Sequence, residues 1–352
     1  MMTKADSFRE VVTRQVKFKI PEYQRNYSWT EEEFEDLWRD LNNVLSDSEN
    51  SDGGRNHFYG MFLFDTDDDV YRIIDGQQRI TTAIILLNEI RRRLEREGYD
   101  EEAKKIEQGY IKDAFGYKLD LGPDEDDQVF KDIVLDKDTI DKDIRTIADS
   151  PSQNKLLKAK KTFRNKIKDK GKEFLLDLKT EITNLEVLTY EVDSIIRAVK
   201  IFETANDRGR DLTVLDKTKS FLMLQIYLDM KNAQEKAIRD EIELLQTRFG
   251  KIYKKIEEID QEDHWGSISE DNIQRYHYIL WDKEWSKSRG ERYYQNLLEN
   301  LKQKIRNSDK PLEIIEDYST KLLEAFETQE KLARKENGGR ESHLLKRMEL
   351  VH

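Results

Sequence analysis

A short apolar run, Val70 to Ile74, passes without a linker into Asp75-Gly76-Gln77-Gln78-Arg79, and Ile80-Thr81-Thr82 then opens a helix. Ala83, Leu87, Ile90 and Leu94 continue an apolar stripe at helical spacing to about Glu97, and Gly98 ends it. A strand therefore hands the chain to a helix across one turn, which commits this region to mixed α and β structure. Phe58 to Phe64 forms a second apolar run, joined to the first by Asp-Thr-Asp-Asp-Asp, the pattern of a hairpin with an acidic connection.

Other segments extend the picture. Val16, Phe18 and Ile20 alternate with polar residues and predict a strand from Val16 to Pro21. After Tyr23-Gln-Arg-Asn-Tyr-Ser-Trp29, Thr30 with Glu33 three positions later makes a capping box. Phe34, Leu37, Trp38, Leu41 and Leu45 supply that helix with an apolar face. Residues 101–170 read as helical, broken by the acidic loop Gly122–Asp127 and by Ser150-Pro151. A further strand, Leu185 to Val192, is expected to return to the first sheet. A helix then ends at Asn206-Asp-Arg-Gly209, and Leu212-Thr213 opens another. Beyond residue 232 the pattern is amphipathic helix, with breaks near 263–269, 307–311 and 337–339. The expected fold class is α+β: a small mixed sheet with helices, followed by a mainly α-helical region. The expected division is 1–97, 98–231 and 232–352, with the strand near 185–192 joining the first part.

Composition narrows the function classes. Of 352 residues, 37% are hydrophobic and 38% charged, and no apolar run approaches the roughly 20 residues that span a bilayer. The opening MMTKADSFRE lacks the apolar core of a signal peptide, so a cytoplasmic protein without a membrane partner is expected. Cysteine is absent, which removes disulfides and thiolate chemistry. A net charge of -12 argues against broad adhesion to DNA. Lys158 to Lys172 nevertheless carries eight positive residues and one negative, either a solvated helix face or a phosphate-contacting surface. The amphipathic helices after 232 would serve a homo-oligomer as readily as a core.

Three constellations can carry chemistry. In the strand–turn–helix, Gly76 permits a tight turn, and the helix-start amides make a ready anion site. Arg79 could add a bidentate grip on phosphate. Gln77 and Gln78 offer neutral donors and acceptors suited to phosphate, sugar, base edge or an attacking water. Asp75 could hold magnesium or orient water. Equally, such a polar turn can be only a helix cap. The second constellation is the loop with Tyr23, Gln24, Arg25, Tyr27 and Trp29, which could stack a base and bind phosphate, or place its aromatics in the core. In the third, residues 202–219, Asn206 and Arg208 could complete a polyphosphate pocket, with Arg210, Lys217 and Lys219 as nearby cations; a structural helix stop is the other reading. His57, His264, His277, His343 and His352 make no metal-ligand spacing, and no Walker GxxxxGK[ST] segment or GxSxG elbow occurs.

The text IPEYQRNYSW, FYGMFLF…YRIIDGQQRITTAIILL and FETANDRGRDLTVLDKTKS, in this order, resembles the N-terminal domain of GmrSD-type restriction systems, domain of unknown function 262, over roughly residues 10–225. The resemblance implies a ParB/sulfiredoxin-like fold with a helical extension, and nucleoside triphosphate binding and hydrolysis coupled to recognition of modified phage DNA. It implies that Asp75, Gln77, Gln78 and Arg79 form the core of the nucleotide site. Asp75, Gln78 and Arg79 are then the expected catalytic residues, with magnesium at Asp75. Gly76, Thr81 and Thr82 at the helix start, and Lys219, are expected to bind nucleotide. Tyr23, Gln24 and Arg25 would line the site, and Asn206 and Arg208 would approach it. Many relatives continue into an HNH nuclease module with a His-x-x-Pro-like element; Pro21, Pro123, Pro151 and Pro311 do not closely follow a histidine. The nuclease is therefore expected on a separate protein or on a longer form of this one. The leading expectation is a sensor NTPase. The alternatives are a module that binds nucleotide or modified DNA without hydrolysis, and a metal-dependent DNA nuclease.

Overall fold

In the computed structural model, residues 2–48, 58–67, 69–122, 124–137, 147–192, 213–261, 269–282 and 297–335 are described. The chain divides into two compact units, Met1–Ala198 and Val199–His352. The first is α+β; the described residues of the second are helical, as the fold class anticipated.

The first unit is built on a six-stranded mixed sheet. Its strands are β1 (Met2–Ser7), β2 (Lys17–Lys19), β3 (Phe58–Asp67), β4 (Val70–Asp75), β7 (Leu119–Asp120) and β8 (Glu186–Val192), in the spatial order β1-β8-β3-β4-β2-β7. β3 and β4 form the antiparallel hairpin that the acidic connection implied. β8 lies between β1, antiparallel to it, and β3, parallel to it. β2 is parallel to both β4 and β7. The remaining pair, β5 (Lys112–Asp113) and β6 (Gly116–Tyr117), is a separate small hairpin.

Two expectations need correction. β1 has no counterpart in the sequence reading, because Met-Thr-Lys-Ala-Asp-Ser shows no apolar alternation. It exists because β8 offers it a backbone edge, and Ser7 with Glu10 then forms a capping box that starts α1 (Phe8–Val12). The span 101–170, read as helical apart from its breaks, also contains β5, β6 and β7. Strands of two residues carry too little text to show a period. β7 is held by backbone bonds to its neighbour: Phe18 N–H reaches Lys118 O and Ile20 N–H reaches Asp120 O, both at 2.8 Å.

Aromatic side chains knit the sheet. Phe62 meets Phe8 and Phe64, and Phe64 meets Phe18 and Tyr71, at ring separations of 5.5 to 6.2 Å. Helix α2 (Glu31–Ser48) starts at Thr30, whose amide and hydroxyl both donate to the Glu33 carboxylate. α3 (Gln77–Arg96) is enclosed nearly all round, from Ile80 to Arg92. It is surrounded by α4 (Asp100–Ile106), α6 (Pro151–Ile167) and α7 (Lys172–Asn184), with α5 (Asp124–Val129) beside α6. Gly98, in the left-handed region, closes α3 through its N–H to Glu95 O.

A buried polar knot sits at the middle of α3. Lys160, wholly inaccessible, donates to the carbonyls of Ile133, Val134 and Lys137 and lies 3.8 Å from Glu89. Asn88 and Arg92 donate to the neighbouring carbonyls of Val134, Leu135 and Asp136. These side chains satisfy the open carbonyl end of a π-helical turn, Phe130–Leu135. The basic run Lys158–Lys172 is thus not a single face. It spans the end of α6 and the start of α7; Lys160 is inside, Lys166 pairs with Glu35 and Lys172 with Glu102.

The second unit comprises α8 (Val214–Asp229), α9 (Glu235–Gln261), α10 (Glu270–Trp281), α11 (Leu297–Arg306) and α12 (Pro311–Lys335), with α9 packed along α8 and α12. Thr213 caps α8 by accepting from Asp216 N–H at 3.2 Å. His277 is buried on α10, its ring edge-on to Tyr318 at 4.9 Å. Burial pushes its pKa down from 6.5 to about 3; Asp317 opposes that shift and Lys321 adds to it. The folded pKa lies below the unfolded one, so the neutral ring's contribution is complete above about pH 6.5 and is lost as pH falls towards 3. Acidification from neutrality to pH 5 should therefore cost about 2 kcal/mol through this group. Denaturant titrations of the parent and of His277→Phe at both pH values check this. Equal pH dependence in the two proteins would remove His277 as the cause.

Candidate functional site

Asp75 ends β4 and Gly76 turns the chain into α3 with φ +94° and ψ 4°. The left-handed backbone alone favours glycine there. A Cβ at this position would also stand 2.2 Å from a Phe62 ring carbon and 3.2 Å from Met61 O. The turn is therefore pressed against β3, next to the register shift at Leu63/Phe64 opposite Asp75. The first amides of α3 have no carbonyl within the helix to reach, as at any helix start.

The side chains after the turn separate to two sides. Arg79 lies back across β3: its Nη2 donates to Met61 O at 2.9 Å and to the Asp75 carboxylate at 3.3 Å. Gly60 makes room for it, since a Cβ there would stand 3.1 Å from the guanidinium carbon. Tyr59, whose hydroxyl burial pushes above its ordinary pKa, donates to Arg79 O at 2.9 Å. Asp75 and Arg79 are thus an ion pair, each side chain about one-sixth exposed, at 17% and 16%.

Gln77 and Gln78 face the loop Pro21–Trp29 instead. Gln77 Nε2 donates to Arg25 O at 2.8 Å. Gln78 Nε2 donates to Asn26 O at 3.1 Å, and its Oε1 accepts from Ser28 N–H at 2.9 Å. The amide of Gln78 therefore pairs with the loop as a strand backbone would. Gln24 returns the contact, donating to Ile74 O at 3.1 Å. Tyr27 is buried, its ring stacked 6.5 Å from Phe34. The Thr82 hydroxyl donates to Gln78 O, so the Tyr27 hydroxyl is the donor in their 2.7 Å bond. The first two constellations are therefore one assembly, held together chiefly by side-chain amides.

Between loop and helix lies a narrow cleft whose interior has about 10 Å³ of free space, room for about one water. Arg25, Gln77, Gln78 and Thr81 line it, with Ile20 and Leu121 as apolar walls. Asp126, on α5, also lines it; the acidic segment Gly122–Asp127, read in the sequence only as a loop between helices, is helical from Asp124 because it starts α5. Asp126 is 6% exposed and Thr81 1%. Tyr23 is half-buried in the same loop.

Asn206, Arg208 and Arg210 lie outside the described residues. Lys219 is buried within the second unit, its Nζ 5.2 Å from the Tyr253 ring centre. Among the described residues no group of three or more His, Cys, Asp or Glu side chains gathers as a metal site, and no helix is long and apolar enough to cross a membrane.

Comparison with known families adds one finding. Residues 8–223 match a family model described as GmrSD restriction endonuclease, N-terminal domain. A search of curated proteins found no match.

Proposed function

The chain belongs to the family of GmrSD restriction endonuclease N-terminal domains, and from this place in a restriction system we propose that it binds and hydrolyses a nucleoside triphosphate as the sensor of modified foreign DNA. The observation that carries the reading is the Gly76 turn, where helix-start amides adjoin both a positioned arginine and a polar cleft. Phosphate suits such a turn, because amides and helix dipole favour negative charge together. Arg79 would stabilise charge that develops on the transferred phosphoryl group, and Asp75 holds its guanidinium in place.

Magnesium fits this arrangement in one mode. In phosphoryl-transfer sites the ion is held by one or two carboxylates together with substrate phosphates and water. Asp75 is the carboxylate on hand for that mode, and the metal would supply charge neutralisation at the phosphates. A cage made by the protein alone has no ligand set among the described residues. The same fact leaves a metal-dependent nuclease without support there.

Phosphate release from ATP, GTP, CTP and UTP, with and without modified phage DNA, tests the proposal. Arg79→Ala is expected to lower DNA-stimulated release at least about 100-fold, the usual loss when one transition-state donor is removed. Unchanged release would remove Arg79 from the chemistry. One observation favours a module that only binds: both ends of the Gln78 amide are engaged by the loop, which leaves that side chain little capacity to orient water. Nucleotide binding without release, even with modified DNA present, would establish that second reading.

A further inference from the structure

Three cations without counter-ions are brought together in the first unit. Arg9 is on α1, Lys105 on α4 and Lys179 on α7. α1 packs against α7. Arg9 Nε–H donates at 3.3 Å to the hydroxyl of Tyr110, on the π-helical turn that follows α4. Glu102, about one turn before Lys105, pairs with Lys172 at 3.0 Å, and Lys179 stands about two turns further along α7. Burial, and then the charges of Arg9 and Lys105, push the Lys179 ammonium below the usual lysine pKa. The α7 carboxylates Asp177 and Glu181 act on each other and not on Lys179. Among the described residues none of the three cations has an ion-pair partner, whereas Lys172 is neutralised by Glu102. Like charges gathered by the fold repel one another unless an anion sits among them.

Two properties select that anion. The patch is open: Arg9 and Lys105 are exposed and Lys179 is half-buried. A small free ligand is instead held in a concavity that covers most of its surface. An open patch suits a phosphate already fixed in a polymer. The chain as a whole carries a charge of -12 and has no general attraction for nucleic acid, so contact must be made by a local cluster. Resting on the DNA-sensing part of the reading above, we propose that Arg9, Lys105 and Lys179 form a clamp for the phosphate backbone of DNA. The clamp fixes how the duplex lies on the first unit and reads no base, so it holds modified and unmodified DNA alike.

Fluorescence anisotropy of a labelled duplex, titrated with the full chain at about 50 and 200 mM salt, tests this. Arg9→Gln, Lys105→Gln and Lys179→Gln combined should weaken binding at least about tenfold at the lower salt. They should also flatten the log–log salt dependence by about 2 to 3. The matched control is Lys158→Gln, Lys161→Gln and Lys168→Gln, which removes the same charge from exposed positions on and just after α6 and should leave affinity nearly unchanged. Lys179→Gln alone should melt no lower than the parent, since it relieves repulsion; a lower melting temperature would make Lys179 structural and remove it from the clamp. Equal losses in the clamp and control variants would reduce the effect to net charge and overturn the clamp, leaving DNA sensing standing. Displacement of the duplex by inorganic phosphate at constant ionic strength would assign the patch to a small anion and overturn it as well. Absence of binding by the parent, with modified as with unmodified duplex, would overturn the DNA-sensing reading and the clamp together.

Discussion

Gly76→Ala is expected to destabilise the first unit by about 2 to 5 kcal/mol. The left-handed backbone costs a residue with a side chain about 1 to 2 kcal/mol. The added methyl would also stand 2.2 Å from the Phe62 ring, inside an aromatic cluster whose members cannot retreat singly. Forcing such an overlap costs a further 1 to 3 kcal/mol or so. Gly98→Ala is the matched control. Its φ is +81°, yet nothing lies within 4 Å of a Cβ there, so only the backbone cost of about 1 to 2 kcal/mol applies. For a unit of this size the difference between the two variants, about 1 to 3 kcal/mol, corresponds to a melting shift of about 2 to 12 °C. If both variants melted together, the close approach of turn and β3 would be wrong. Gly76→Ala should also loosen the site, because Gln77 and Gln78 hold the Pro21–Trp29 loop from the turn it would displace.

The second large effect is expected far from the cleft. Lys160→Met keeps most of the side-chain volume but removes the charge that faces Glu89 and the donors that satisfy three carbonyls. Burial already pushes the Glu89 carboxyl above its ordinary pKa, and Lys160 is the largest influence drawing it back. Removing one partner of a buried pair typically costs about 3 to 5 kcal/mol, because the other charge is left without compensation. Glu89→Gln made together with Lys160→Met should recover part of that loss, so the double variant will be more stable than the sum of the single effects. Denaturant unfolding of all four proteins measures the coupling. Strict additivity would show that the carbonyl contacts, rather than the ion pair, carry the role of Lys160.

Much of the site was legible before any fold was known, and for definite reasons. Asp75 to Arg79 is contiguous, and glycine between an apolar run and a helical stripe has few other uses. What the side chains do there was not legible. Gln77 and Gln78 are neighbours in sequence, and both turn towards the loop; Arg79, one step further round the helix, turns to β3. Asp126 stayed hidden because carboxylates are common in this chain and nothing local marks the one that lines the cleft beside α3. Lys219, a candidate phosphate ligand by its neighbours in sequence, lies beside the Tyr253 ring, a contact its local text does not show.

The sequence by itself determined what depends on near neighbours: the β4–turn–α3 unit, the β3–β4 hairpin, the Thr30 and Thr213 caps, and the helical character of the described part of the second unit. These follow from periodicity, capping and turn chemistry, which act over a few residues. Only the tertiary structure decided the β1 pairing with β8, the two-residue β7, the burial of Lys160 and the lining of one cleft by Asp126, Gln77 and Thr81. Each depends on groups brought together from distant positions, where backbone pairing and desolvation override local preference.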